Sequence, residues 1–300
     1  MFKSRGTLRG RRRLEELTAW LFISPVVLGI LIFTVYPLLF SLYVSFTRWN
    51  LISAPKWRGV GNYMELFTND RFFYGTLRNT AIYAVGTVTV GIALGLFFAV
   101  LLNQGIRGQL VYRAIYFVPV VAPTVALALL WGYLYSPNFG LFNSLLRMIG
   151  IQGPNWLGTS KWALPSVMLE AIWAGLGFTI VIFLAGLQGI SQEYYEAAEI
   201  DGANFIQKFY YITMPLLSPT TFFVLVTGVI GALQVFDLPY IMTGGGPANA
   251  TQTVMMYLYA LAFRLQKMGL AASLGYILFI IIMILTFINF KFGRKWVFYE

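Results

Sequence analysis

Six long runs of apolar, uncharged residues divide this chain, and they constrain its fold more than any other feature. A bilayer core about 30 Å thick needs roughly 20 helical residues, and each run reaches that length. The first run has no charge between Glu16 and Arg48, and Pro25 and Pro37 within it predict a kink or an exit from the membrane before Phe46. The runs predict an all-α integral membrane protein with six transmembrane helices, at 17–47, 80–102, 114–135, 163–188, 216–242 and 270–290.

Composition excludes several other classes of protein. Hydrophobic residues make up 58% of the chain and charged residues 11%, whereas soluble domains carry about 25% charge. The net charge of +10 indicates membrane orientation rather than a nucleic-acid partner, because six of the 21 basic residues lie in the first 13 positions and the others in short loops. The chain has no Cys and no His, which excludes thiolate, imidazole and His- or Cys-ligated zinc chemistry.

The basic residues also predict which side of the membrane holds the termini. An even number of spans puts both termini on one side, and the cluster before the first span indicates the cytoplasm. The apolar region of a cleaved signal peptide has only about 7–15 residues, so we expect an uncleaved anchor helix. We expect a basic tail at 1–16, a transmembrane domain at 17–290 and a cytoplasmic tail at 291–300. Twelve basic residues then face the cytoplasm, against nine outside: Lys3, Arg5, Arg9, Arg11, Arg12, Arg13, Arg107, Arg113, Lys208, Lys291, Arg294 and Lys295.

An acidic segment, SQEYYEAAEIDGANFIQKFYYITMP, interrupts the apolar pattern between the fourth and fifth spans. It holds four of the chain's 11 carboxylates within nine positions. Ser191 is a candidate N-cap and Gly202 a candidate terminator, so the spacing predicts a short helix at 192–201 and a second at 203–211. The segment is either a docking element or a surface connector whose charges only solvate it.

The residue order in this segment resembles the EAA loop of the membrane subunits of binding-protein-dependent ABC importers. The matching positions are EAA, then Asp201-Gly202-Ala203, then Pro215. Two further stretches, YRAIYFVPVVAPTVALALLWGYLYSPNFGLFN and FDLPYIMTGGGPANATQTVMMYLYALAF, are similar to the carbohydrate-uptake branch, the relatives of maltose and glycerol-phosphate permeases. The resemblance covers roughly 17–290 and implies the type I ABC importer permease fold with a cytoplasmic coupling helix.

The resemblance implies a division of labour between this chain and its partners. In that family the EAA loop, here 189–215, docks in a groove on a cytoplasmic ATPase subunit. None of the seven lysines follows a glycine, so the sequence has no P-loop. We expect no cofactor on this chain. The expected partners are two ATPase subunits that bind ATP and Mg, a second permease that is related but not identical and forms a heterodimer with this chain, and an extracytoplasmic sugar-binding protein. The implied coupling residues are Glu196, Ala197, Ala198, Asp201, Gly202 and Pro215.

Candidate residues of a transport path lie in the fourth and fifth spans. Glu170 and Asp237 are ionisable groups at depths where such groups usually face a cavity or a partner. The alternative is that each pairs with a structural donor, for which Arg78 is a candidate, or reaches the outer headgroups. Close helix packing is the alternative role of Gly175, Gly228 and Gly231, and it is the role expected for the Gly91-x-x-x-Gly95 pattern. The resemblance to the maltose permease implies that the pathway-facing positions are Ile172, Gly175, Phe178, Gly228, Ala232 and Val235.

These features predict a permease subunit of an ATP-driven importer of carbohydrate, whether a mono- or oligosaccharide or a related polyol or sugar phosphate. We expect it in the prokaryotic cytoplasmic membrane. An ion-coupled secondary carrier would need its own coupling site near the midplane and an internal repeat, and the sequence indicates neither. A membrane-embedded enzyme would need a set of catalytic groups, but the acids are concentrated in one loop. We therefore expect no enzymatic activity of the chain itself.

Overall fold

A computed structural model describes residues 8–104 and 108–298 of the chain. Lys3, Arg5 and Arg107, which belong to the orientation prediction, lie outside the described residues. Within the described residues, four helices are long and apolar enough to cross a membrane, and the number is six when each of two bent helix pairs counts as one span. The all-α fold with six spans is thereby confirmed.

Four of the spans are unbroken. The first runs through α1 (Leu8–Ile30), a π-helical turn (Leu31–Val35) and α2 (Tyr36–Ser45). It is helical through both of its prolines, and the π-helical turn lies between them. The helix ends before Phe46, as predicted. The other unbroken spans are α4 (Phe73–Leu102), α8 (Ser160–Gln188) and α15 (Met268–Trp296). Because α1 begins at Leu8 and α15 ends at Trp296, much of both predicted tails is helical.

The third span is broken, and its prediction as one continuous helix is wrong. It consists of α5 (Gln109–Val121) and α6 (Thr124–Leu134), which meet at 107°. Pro123 explains the break, because a proline disfavours helical geometry at the residue before it. Ala122, at that position, is extended with a ψ of 142°.

The fifth span is also divided, contrary to the single helix predicted at 216–242. The segment before it comprises α10 (Phe205–Lys208), a π-helical turn (Phe209–Thr213) and α11 (Met214–Leu216), and it meets α12 (Ser218–Leu233) at 62°. The helix ends at Leu233. A separate helix, α13 (Asp237–Thr243), follows it.

Short elements connect the spans. Strands β1 (Thr47–Arg48) and β2 (Lys56–Trp57) form an antiparallel pair in which Thr47 lies opposite Trp57. The remaining elements are α3 (Gly61–Thr68), α7 (Leu141–Met148), α9 (Gln192–Ile200), α14 (Val254–Tyr259) and a π-helical turn (Ala260–Arg264).

Helices α4, α5 and α8 pack closely through glycines. A Cβ atom added at Gly95 of α4 would lie 2.3 Å from Thr179 Cγ2 of α8, whereas one added at Gly91 would meet nothing within 4 Å. The predicted packing role of the Gly91-x-x-x-Gly95 pattern therefore holds for Gly95 only. A Cβ atom at Gly177 would lie 2.0 Å from the Tyr116 carbonyl oxygen, so α5 and α8 meet at backbone distance.

Candidate functional site

The acidic segment lies at one membrane end of α8. This helix has 29 residues and rises about 43 Å from Ser160 to Gln188. Gly86 lies against Met168 and Gly95 against Thr179, so α4 and α8 run in the same direction. The starts of both helices therefore share the membrane face opposite the acidic segment.

The acidic segment folds into two short helices with a fixed corner. The Ser191 hydroxyl accepts a hydrogen bond from the Glu193 N–H at 3.3 Å and caps α9, as predicted. Gly202 adopts a left-handed φ of 77°, and the Ala203 N–H donates to the Ala198 carbonyl at 2.8 Å, which is a glycine-terminated helix end. Reciprocal bonds between Asn204 and Gln207 then begin α10.

Only some of the acidic side chains are free for a partner. Glu199 forms an ion pair with Lys208 at 2.6 Å. Glu196 and Asp201 are exposed, and neither has an ion pair among the described residues. The Tyr195 hydroxyl lies 3.0 Å from Thr213 Oγ1 and ties α9 to the segment that precedes α12.

The implied coupling residues do not all lie on one surface. Ala197 is exposed and Ala198 half-buried on α9, next to Glu196. Pro215 is half-buried in α11, at the bend that leads into α12, whereas Glu196 and Ala197 are exposed on α9. Ile200 is 88% exposed, and Phe205, Ile206 and Tyr211 are exposed as well. Clustered exposed apolar side chains of this kind favour a docking surface over a solvated connector.

A cavity of about 400 Å³ lies at the break in the third span. Pro119, Val120, Ala122 and Thr124 border it on one side and α8 on another. Gln234 and Phe236 border it where α12 ends. Four of the predicted path residues line it together: Glu170, Gly175, Val235 and Asp237.

Glu170 is the most deeply buried polar group in this cavity. Its side chain is 1% exposed, and its Oε2 has no hydrogen-bond partner among the described residues. The ion pairs of the described residues are Arg58–Glu65 and Lys208–Glu199, so Arg78 is not the counter-ion of Glu170 or Asp237. Asp237 is exposed and is the first residue of α13, outside the helix of the fifth span.

A second cavity of about 260 Å³ continues from the first, because the two share Tyr83, Ala171, Gly175 and Val235 as lining residues. Phe178 is 50% exposed and is not among the lining residues of either cavity. The predicted path residues that line the second cavity are Ile172, Gly175, Gly228, Ala232 and Val235.

The glycines of this region border open space and make no close contact with a neighbouring helix. A Cβ atom at Gly175 or Gly231 would meet nothing within 4 Å, and one at Gly228 would make only an ordinary 3.6 Å contact with Val88. The packing interpretation of these three glycines is therefore not supported by their contacts.

The sequence prediction missed the contribution of the second and third spans. Tyr83, Thr87 and Gly91 of α4 line the second cavity at i, i+4 and i+8, so they share one helix face. Pro119 and Thr124 line the first cavity on either side of the break. The prolines of the third span were the available signal, because they interrupt helices.

Comparisons with known proteins agree with this architecture. Residues 91–296 match the family described as binding-protein-dependent transport system inner membrane component. The chain is 38% identical to the probable ABC transporter permease protein YesP of Bacillus subtilis, over 96% of this chain and 94% of that protein. It is 34% identical to the trehalose/maltose transport system permease protein MalF of Thermococcus litoralis, over 93% and 95% of the two chains.

A solved structure has the same fold. A chain from a bacterial ABC transporter involved in the import of the acidic polysaccharide alginate superposes with a TM-score of 0.84 at 21% identity, covering 95% of this chain and 98% of that one. The family match extends over most of the chain, and the relatives match nearly its whole length. This chain therefore belongs to the inner membrane components of binding-protein-dependent transport systems.

Proposed function

We propose that this chain is a permease subunit of an ATP-driven carbohydrate importer and forms half of the translocation path. The observation that carries the proposal is that one helix, α8, joins the cavity to the acidic segment. Glu170 and Gly175 line the cavity, and Gln188 ends the same helix next to the exposed α9. Relatives named as trehalose/maltose, lactose and arabinooligosaccharide permeases support carbohydrate as the substrate class.

The other half of the path comes from a second permease subunit, related but not identical. Phe178 is exposed next to the residues that line the cavities, and the most apolar window of the first span has no buried residue within this chain. Both surfaces are available for contact with a second subunit within the membrane. An extracytoplasmic sugar-binding protein delivers the substrate, in keeping with the family description.

The importer has two ATPase subunits, and one of them docks on the acidic segment of this chain from the cytoplasm. Glu196, Ala197 and Asp201 form the exposed part of this contact, and Gly202 sets the corner behind them. Movement of the ATPase subunits is transmitted through α9 to α8 and α12, which line the cavity, and alternates the access of the cavity between the two membrane faces. ATP and Mg stay with the ATPase subunits.

The test is reconstitution of the complete importer in proteoliposomes. Glu196→Ala is expected to abolish uptake and binding-protein-stimulated ATP hydrolysis without reducing insertion. Glu193→Gln is the matched control, because Glu193 lies on the same helix but at its capped start. Full uptake by the chain without any ATPase would instead identify a secondary carrier and overturn the proposal.

A further inference from the structure

A third cavity, of about 660 Å³, lies at the membrane face opposite the acidic segment. We call it the cationic cavity, because Arg71, Arg78 and Lys161 line it and none of its described lining residues is acidic. None of the three cations has an ion pair among the described residues. A cavity whose charged lining residues are all cations concentrates anions.

The nearest carboxylate of the chain does not neutralise these cations. Asp70 precedes Arg71, but its Oδ1 accepts the N–H groups of Phe72 and Phe73 at 2.9 and 3.0 Å, and its Oδ2 accepts the hydroxyl of Tyr257. Asp70 is therefore engaged by its own segment and by Tyr257, and it forms no ion pair with the cations of the cavity.

The walls of the cationic cavity are held in place by hydrogen bonds. Asn79 Nδ2 of α4 donates to the carbonyl oxygens of Asn249 and Gln252 at 2.8 and 3.1 Å. Ser160 Oγ of α8 donates to the Pro247 carbonyl at 3.4 Å. Two long helices and one loop therefore form a single concave surface. Its volume is in the range of about 300–1,000 Å³ that small-molecule sites occupy.

The cationic cavity lies above the transport cavity on the same helix faces. Asn79 lines it, and Tyr83 and Thr87, four and eight residues later, line the inner cavities. On α8, Leu164 lines it, and Ala171 lies seven residues further, in the inner cavities. Residues at these spacings share a helix face. The cationic cavity therefore opens over the path rather than towards lipid.

We propose that the cationic cavity receives an anionic saccharide, one that carries a carboxylate, sulfate or phosphate group, on its way to the inner cavity; this rests on the proposed function. The cations bind the anionic group. Asn249 also lines the cavity, and its exposed side-chain amide offers an acceptor for a sugar hydroxyl. This acceptor favours an acidic sugar over a bare inorganic anion.

The test uses the complete importer complex in nanodiscs of neutral lipid, without the binding protein. Titration with α-1,4-digalacturonate is compared with α-1,4-galactobiose, which has hydroxymethyl groups where the acid has carboxylates, and with inorganic phosphate. We expect saturable binding of digalacturonate alone, lost at about 1 M salt, where the screening length falls to roughly 3 Å. Arg78→Gln and Lys161→Gln should each weaken it about tenfold.

Lys267→Gln is the matched control, because Lys267 is an exposed cation that lines a separate cavity at the same membrane face. Equal binding of the acidic and neutral disaccharides, or of phosphate and digalacturonate, would overturn the proposal. A separate titration with the binding protein completes the test: variants that weaken its docking but leave digalacturonate binding unchanged would also overturn the proposal, since the cations would then serve a protein contact. ATP-driven uptake by the unaltered complex, measured in parallel, reports separately on the proposed function.

Discussion

At the residue scale, Glu170 is the side chain whose surroundings most need a functional explanation. Burial of an ionisable group without a partner is costly, yet Glu170 is 1% exposed and its Oε2 has no partner among the described residues. A group kept in this state at the wall of a cavity is available to a ligand that enters.

We predict that Glu170→Gln keeps or raises the thermal stability of the complex and lowers sugar uptake roughly tenfold. The substitution removes a buried ionisable group that no described residue balances, but it also removes a carboxyl acceptor, and a hydrogen bond to a charged group is worth about 1.5–3 kcal/mol. Thermal unfolding and uptake by the reconstituted importer measure the two effects. Glu65→Gln, which breaks an ion pair outside the cavity, should leave uptake unchanged. A lower unfolding temperature for Glu170→Gln would contradict a ligand role.

Two glycines of α8, only two residues apart, should respond differently to alanine. At Gly177 the new methyl group would lie 2.0 Å from the Tyr116 carbonyl oxygen, whereas at Gly175 it would enter open space. We predict that Gly177→Ala costs on the order of 1–3 kcal/mol of stability through overpacking and reduces the amount of folded protein. Gly175→Ala should be tolerated. Size-exclusion profiles after heating compare the two; equal losses would mean that the α5–α8 contact is not tight.

At the scale of elements, the corner between α9 and α10 is fixed by local chemistry. Ser191 caps one helix, Asn204 caps the other, and Gly202 supplies the left-handed residue between them. Such signals lie within a few residues of each other, which is why the sequence predicted α9 to within one residue of its end.

We predict that Gly202→Ala lowers binding-protein-stimulated ATP hydrolysis several-fold while the protein still folds. A left-handed alanine costs roughly 1–2 kcal/mol, so the corner shifts, but the added methyl group meets no atom within 4 Å. The control is Lys208→Ala, which removes the partly exposed pair with Glu199; such pairs contribute only about 0–1 kcal/mol. Unchanged stimulation in Gly202→Ala would show that the corner angle does not matter for coupling.

The broken spans mark where sequence patterns no longer predict the structure. Hydropathy measures only the length of an apolar run, so α5 and α6 were predicted as one helix although Pro123 lies between them. The same applies to the fifth span, where no proline marks the end at Leu233. The environment of Glu170 depends on α4, α6 and α13, which are distant in sequence, so a pairing with Arg78 could not be tested without the structure.

At the scale of the whole molecule, the long helices put the acidic segment and the cationic cavity on opposite membrane faces. The chain has no cysteine, so single cysteines can report on each face without background. We predict that Ile200→Cys reacts with a membrane-impermeant maleimide only in inverted vesicles, and Asn249→Cys only in intact spheroplasts. Both positions are exposed. The reverse labelling pattern would place the termini outside and overturn the cytoplasmic docking proposal.

The break between α5 and α6 also determines how wet the path is. The last carbonyl groups of α5 and the first N–H groups of α6 have no partner within their own helices. At membrane depth, such backbone groups are tolerated only when they are buried in protein or face water. Pro119, Val120, Ala122 and Thr124 line the cavity, so we expect it to hold water before any sugar arrives. A sugar that enters would therefore exchange its hydrogen bonds to bulk water for hydrogen bonds at a hydrated wall, one after another. The free-energy cost of its dehydration would then be divided among many small steps.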